Sequence, residues 1–218
     1  MTPPLDAHGL HRFFRRGDTE VPALLDVTLT CHPGEMVAVT GPSGSGKSTL
    51  LNLLAGLDDP DGGVVRVAGE RLSHRTPAAA ARLRARHIGV LTQGSALFAH
   101  LTVRENVRFA ESLSRASGVR GDELIEALGL SAVRGSAPRT LSGGETARAG
   151  LAVALAGSPS VLLADEPTAE VSTDEEHTVL DLLDRWRPPA GATVIVTHSA
   201  VVADRADRVV HLVDGRIA

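Results

Sequence analysis

No segment restricts this chain more than the run GPSGSGKST, from Gly41 to Thr49. The apolar stretch Met36 to Thr40 enters it and reads as a short strand. Ser48 to Leu57 leaves it with Leu50, Leu51, Leu53 and Leu54 at helical spacing, stopped by Gly56 and Asp58-Asp59-Pro60. In this strand, loop, helix order, backbone N–H groups turn inward around phosphate oxygens and the helix N-terminus adds the positive end of its dipole. Gly41, Pro42, Ser43, Gly44, Ser45, Gly46, Lys47, Ser48 and Thr49 are therefore candidate phosphate-binding residues. Lys47 would reach the β and γ phosphates of a nucleotide and Ser48 would place its hydroxyl on Mg²⁺. Lys47 is the sole lysine of a chain that otherwise uses arginine, which marks a place needing a compact ammonium on a flexible stem rather than a planar fork.

Around the loop, strand and helix patterns alternate. Leu24 to Leu29 reads as a strand closed by the turn His32-Pro33-Gly34, Val64 to Val67 as an alternating strand opened by Gly62-Gly63, and Ile88 to Leu91 as another. Pro77 is placed to start an arginine-rich helix ending near His87. Thr102 to Ser114, Gly121 to Leu128 and a segment running through Leu151 to about Ala156 read as helices, giving a mostly helical middle section. Ser160 to Asp165 is nearly all apolar, as parallel strands buried on both faces are, and a helix follows from Thr173 to Trp186. Thr193 to Thr197 and Val209 to Asp214 complete the strands, with a short helix around Val201 to Ala206 between them.

Composition removes several function classes. With 218 residues, 43% hydrophobic and 22% charged, the chain can bury a substantial core and is unlike a disordered protein. A net charge of -4 argues against the broad cationic face that displaces counterions from a nucleic acid, so no nucleic-acid partner is expected. No window approaches the roughly 18 apolar residues of a membrane span. The Arg15-Arg16 pair is followed by Asp18 and Glu20 rather than by an apolar stretch, so no secretory leader is expected either. Any membrane role would pass through a partner. Cys31, the one cysteine, cannot form an internal disulfide and reads as a small buried hydrophobe.

Two further motifs carry chemistry. Asp165 and Glu166 end an apolar strand, where a carboxylate pair is costly without cationic company. Taken alone, the pair also reads as a solvated strand end. Beside Lys47 the favoured reading has Asp165 holding Mg²⁺ through water while Glu166 aligns or deprotonates an attacking water. Leu141-Ser142-Gly143-Gly144-Glu145 precedes a helix; Ser142 can cap it, and Gly143 and Gly144 permit close backbone approach, making a second helix N-terminus suited to an anion. By itself that run is more often just a loop.

The ordered set of phosphate loop, single glutamine Gln93, LSGGE, a strand ending in Asp-Glu-Pro-Thr and a strand ending in Thr197-His198 resembles the nucleotide-binding subunits of ABC transporters over nearly the whole chain. The resemblance implies an α/β P-loop NTPase fold: a RecA-like core with a mainly parallel sheet, a helical subdomain and a small antiparallel β subdomain. Core and β lobe would span about 1–92 and 159–218, the helical subdomain about 93–158. It implies ATP and Mg²⁺ as cofactors, and Gln93 as the residue that contacts Mg²⁺ and water and senses the permease. His198 becomes the histidine at the γ-phosphate, and Phe14 the aromatic that stacks on adenine, with Phe13 the only nearby substitute and a packing role for Phe14 the alternative. Ser142, Gly143 and Gly144 would complete the ATP site of a second ATPase subunit in a head-to-tail dimer, expected to be a homodimer. The stretch through Leu97 and Phe98 to Asn106 would receive an integral membrane permease at the cytoplasmic face of the membrane. Within the family, the chain is most similar to the lipoprotein-release and macrolide-export branch.

The pattern departs in three places. Val171-Ser172 stands where a Leu-Asp pair is usual, Glu145 replaces the commoner glutamine of the signature, and Val153 stands where arginine is usual. None removes a phosphate, metal or water contact, so a competent ATPase with altered coupling is expected. The alternative is an ATP-switched regulatory module of a cell-division-type membrane complex, with little transport.

Overall fold

The computed structural model describes residues 2–17, 19–92, 97–114 and 121–218. In chain order the elements are β1 (Leu5–Arg16), β2 (Thr19–Cys31), β3 (Met36–Thr40), α1 (Lys47–Leu54), β4 (Gly62–Val67), β5 (Glu70–Arg71), α2 (Pro77–His87) and β6 (Ile88–Leu91). Then come α3 (Val103–Ser114), α4 (Gly121–Ala127), α5 (Gly143–Leu155), β7 (Val161–Asp165), α6 (Thr173–Trp186), β8 (Ala192–Val196), α7 (Ala200–Ala203), β9 (Arg208–Val213) and β10 (Arg216–Ile217). They build a six-stranded sheet in the order β10-β9-β3-β8-β7-β6 and a four-stranded sheet in the order β2-β1-β4-β5. The first is parallel apart from the edge strand β10; the second is antiparallel throughout.

Alternation along the central strands divides the molecule into two cores. Val161 and Leu163 of β7 and Val194 and Val196 of β8 face one core, shared with Leu50, Leu53 and Leu54 of α1 and with Leu5, Leu10 and Leu29 of the antiparallel sheet. Leu162, Ala164 and Ile195 face the other, shared with Val103 and Val107 of α3, Leu124 of α4, Leu151 of α5 and Leu180 of α6. Every residue from Val161 to Ala164 is 0% exposed, so the polar ends of these strands lie only at the sheet's edges. The expected parallel core, antiparallel lobe and helical section are all present.

The amino-terminal strands were the hardest part to read from sequence. The strand expected over Leu24 to Leu29 is the inner half of the longer β2, and β1, with which it pairs, was not anticipated. The register of β1 shifts between Ala7 and Leu10 and again before Phe13, so its buried residues Leu5, Ala7 and Leu10 break the period of two. The loop helix also ends earlier than expected, at Leu54, because the chain turns at Gly56 with a positive φ of 61°.

Gly89 of β6 fixes how closely α5 lies on the sheet, since an added Cβ would overlap the carbonyl oxygen of Ala154. Gly89→Ala should therefore cost about 1–3 kcal/mol of stability, measured as a lower urea midpoint at unchanged slope.

Candidate functional site

β3, β7 and β8 run parallel and deliver their carboxyl ends to one edge of the sheet. Asp165 pairs with Val196 across β7 and β8, and the Thr197 N–H donates to the Val39 carbonyl at 3.1 Å, so β3 and the segment after β8 end side by side. The loop Gly41 to Gly46 leaves β3 at this edge. Gly46 caps α1 with φ of 104°, and a side chain there would strike the Ala23 carbonyl of β2; one at Gly41 would strike the Leu212 carbonyl of β9. The loop is thus clasped between the two sheets, and only glycine fits where it is clasped.

Lys47 is buried and its Nζ donates to the Gly41 and Pro42 carbonyls at 2.8 and 2.9 Å. The Ser48 hydroxyl lies near the Asp165 carboxylate. Burial, and then the neighbouring Glu166 carboxylate, push the Asp165 carboxyl above its usual range, against the opposing pull of Lys47, Ser48 and His198. Glu166 holds a left-handed φ of 47°. Its Oε2 accepts from the Thr197 hydroxyl at 3.0 Å, whereas its buried Oε1 has no hydrogen-bond partner. His198 Nε2 stands 3.8 Å from that oxygen, too far for a hydrogen bond, so the two groups converge on the same point of the cleft.

A cleft of about 750 Å³ opens over these groups. Ser43, Gly44, Gly46, Lys47, Ser48 and Thr49 form its floor, Asp165, Glu166 and His198 one wall, and Phe14 the other. Gly41, Pro42 and Ser45 of the loop do not line the cleft, Ser45 being almost wholly buried. Phe14 reaches the cleft from β1 opposite Val21, and the Arg12 guanidinium lies over its ring at 5.0 Å. Val21, Pro22 and Ala23 complete that wall and went unnoticed in the sequence, since only the register of the β1–β2 pair brings them there. Gln93 lies outside the described residues.

Ser142, Gly143 and Gly144 do not line this cleft. Ser142 is the N-cap of α5: its hydroxyl accepts from the Glu145 N–H at 3.2 Å while the Glu145 carboxylate accepts from the Ser142 N–H at 2.8 Å. Glu145 thereby completes a capping box, which a glutamine would also make. Gly143 lines a separate small recess with Thr146, Pro167 and Val171, sharing Glu166 as a wall with the main cleft. Val153 packs its apolar side chain against the second core.

A family profile described as "ABC transporter" matches residues 24–169. This chain belongs to the ABC transporter family. The match takes in the clasped loop, the capping box and the two carboxylates. The chain is 42% identical over 222 residues to the lipoprotein-releasing system ATP-binding protein LolD of Anaeromyxobacter dehalogenans, covering 99% of this chain and 93% of that protein. It is 39% identical over 221 residues to the macrolide export ATP-binding/permease protein MacB of Salmonella typhimurium, covering 100% of this chain. The chain spans only 34% of the length of that second relative. Among solved structures, it is similar to the ATP-binding cassette MJ0796 in a dimeric post-hydrolysis state bound to ADP and Pi, with a TM-score of 0.89 at 29% identity, covering 98% of this chain and 96% of that one. Family and fold together make this chain an ABC-type ATP-binding cassette, a P-loop NTPase.

The Asp165–Glu166 pair makes a pH prediction for the nucleotide-free, metal-free cassette. A carboxyl whose pKa is raised on folding favours the folded state below its unfolded pKa, and that contribution is lost as pH rises through the folded value. Asp165→Asn removes the like-charge repulsion and keeps the side chain's shape. Because Asp165 is only half-buried and its charge screened, the gain should be modest, about 1–3 °C in Tm near neutral pH. It should vanish as the pH falls through the carboxylate range, which thermal scans in chelator will show.

Proposed function

We propose that this cassette binds and hydrolyses ATP with Mg²⁺, dimerises on ATP and drives a separate integral membrane permease, in export or in transmission of mechanical force across the membrane. One observation carries the reading: a single cleft gathers Lys47, Ser48, Asp165, Glu166 and His198 around an opening of nucleotide size, while Gly143 and Gly144 of the signature lie outside it. One chain therefore cannot complete its own site. A second copy set head to tail can supply Ser142, Gly143 and Gly144 to the phosphate tail, because the Gly143 and Gly144 amides at the start of α5 have no acceptor within the helix.

On this reading the Lys47 ammonium exchanges the Gly41 and Pro42 carbonyls for the β and γ phosphates, with the amides of Ser43 to Ser48 around them. Glu166 Oε1, buried and unpartnered, is the acceptor for the proton of the attacking water; His198 faces it and steadies the γ-phosphate. Phe14 offers the ring face not covered by Arg12 to adenine. Ser48 and Asp165 supply hard oxygen donors of the kind Mg²⁺ takes, and a cation relieves the Asp165–Glu166 repulsion. Among the described residues no group of three or more His, Cys, Asp or Glu could hold a metal, and phosphate oxygens and water would fill out the ion's shell beside Ser48 and Asp165. When bound, Mg²⁺ would neutralise charge building on the transferring phosphoryl group. Gln93 is assigned to the same metal and water by resemblance alone.

Among the described residues no helix is long and apolar enough to cross a membrane. We place the cassette at the cytoplasmic face, held there by its permease. The helical subdomain, about 93–158, would meet the permease, and the remainder, about 1–92 and 159–218, would bind nucleotide. The LolD and MacB likeness supports the export or mechanotransmission branch. The second reading, a regulatory module that assembles on ATP and moves little, is favoured by Val171-Ser172, which lies beside Gly143 where the family's Leu-Asp pair would be. Proteoliposomes carrying the cassette and its permease separate the two: ATP-dependent substrate movement excludes the second.

Glu166→Gln should lower kcat for ATP at least about a hundredfold with nucleotide affinity retained. Lys47→Ala should weaken Mg·ATP binding by at least about tenfold in calorimetry. Unchanged turnover in the first variant removes Glu166 from the mechanism, and unchanged affinity in the second removes the clasped loop from phosphate binding.

A further inference from the structure

Glu176 stands in the first turn of α6, half-buried and outside the nucleotide cleft. Its Oε1 accepts two hydroxyl hydrogen bonds, from Thr168 at 3.0 Å and from Ser199 at 3.2 Å. Thr168 follows Glu166 by two residues, and Ser199 follows His198 directly. On the other side of the same group, the Thr197 hydroxyl donates to Glu166 Oε2 at 3.0 Å and accepts from the Ser199 N–H at 2.9 Å. The bonds close a circuit that runs from Glu166 along the chain to Thr168, across to Glu176, on to Ser199, and back through Thr197 to Glu166.

The circuit encloses the two side chains that face each other at 3.8 Å. Glu166 sits within it at φ of 47°, a conformation that L residues hold only when their surroundings impose it. Backbone bonds supply part of that constraint, through the Glu166 N–H to Val196 at 2.9 Å and the Ala169 N–H to the Glu166 carbonyl at 3.1 Å. Glu176 supplies the side-chain part that reaches both loops at once. Without it, the Thr168 hydroxyl loses its acceptor and Ser199 keeps only its bond to Thr197 and its capping bonds to α7, neither of which reaches the loop after Glu166.

We infer that Glu176 is a positioning residue for ATP hydrolysis: it ties the loop after Glu166 to the loop after His198 and so fixes the relative placement of the two groups that converge on the reacting end of the nucleotide. This rests on the reading of Glu166 as the acceptor of the water's proton. Only a hydrogen-bond acceptor is required at the position, since both donors are neutral hydroxyls, and an amide carbonyl serves as well as a carboxylate.

Steady-state ATP turnover and calorimetric Mg·ATP binding of the purified cassette test it. Glu176→Ala should lower kcat about ten- to a hundredfold, because displacements of about 1 Å at reacting groups have effects of that size, while KM and the Kd for Mg·ATP hold within about twofold. Glu176→Gln should restore most of the wild-type kcat. A residue that only stabilises the fold would lower Tm and the active fraction without this split between kcat and affinity. If Glu176→Ala does not fold, Thr168→Val and Ser199→Ala each remove one donor, and each should lower kcat at constant affinity. Wild-type kcat in Glu176→Ala, no rescue by glutamine, or wild-type kcat in both single-donor variants overturns the inference. Turnover that responds to Glu166→Gln but not to Glu176→Ala refutes this inference alone; turnover indifferent to Glu166→Gln refutes the functional reading beneath it.

Discussion

Both faces of β7 are sealed by apolar packing, so the chain has nowhere to place a charge until Asp165, and there it places two in succession. Burial with a like-charged neighbour is unfavourable for carboxylates, and it persists here because Lys47, Ser48 and His198 converge on the same edge. The rest of the cleft is arranged about that concentrated negative charge. A lysine is anchored on loop carbonyls within reach, and a carboxylate oxygen is left without a partner.

The same geometry accounts for the division of labour between the two sheets. The six-stranded sheet supplies the carboxyl edge and its charges, while the antiparallel sheet presses Ala23 against Gly46 and swings Phe14 over the opening. The clasp holds the loop's backbone amides in place before any ligand arrives, which limits the ordering that binding must otherwise impose. The signature follows another logic. Its capping box satisfies the Ser142 and Glu145 amides internally and turns the start of α5 away from the cleft, toward the segment containing Glu170 and Val171. That segment is where this chain departs from the family's Leu-Asp pair, with Val171 set beside Gly143.

Glu175 and Glu176 make the first turn of α6 a second junction. Arg148 of α5 stands 3.6 Å from Glu175, which lies against Gly144, while Glu176 takes the hydroxyls of Thr168 and Ser199. One acidic turn thus touches the signature, the loop after the paired carboxylates and the loop after His198. Carboxylates are favoured there by the helix dipole, a local reason for acidic residues at the start of α6.

What the sequence determined by itself were the features whose physics is local. A lysine after clustered glycines between strand and helix, a carboxylate pair closing an apolar strand, and a serine able to cap a helix ahead of paired glycines each carry their meaning within a few residues. Long, regular helices such as α2 and α6 were equally legible because periodicity and flanking residues agree. β1 was not, since its bulges break the alternation and its burial comes from partners far along the chain. Only the tertiary structure decided that Phe14 reaches the cleft, that the signature faces elsewhere, and that Glu176 joins Thr168 to Ser199. Each of these depends on register or on a contact between distant segments, and neither is encoded in the spacing of neighbouring residues.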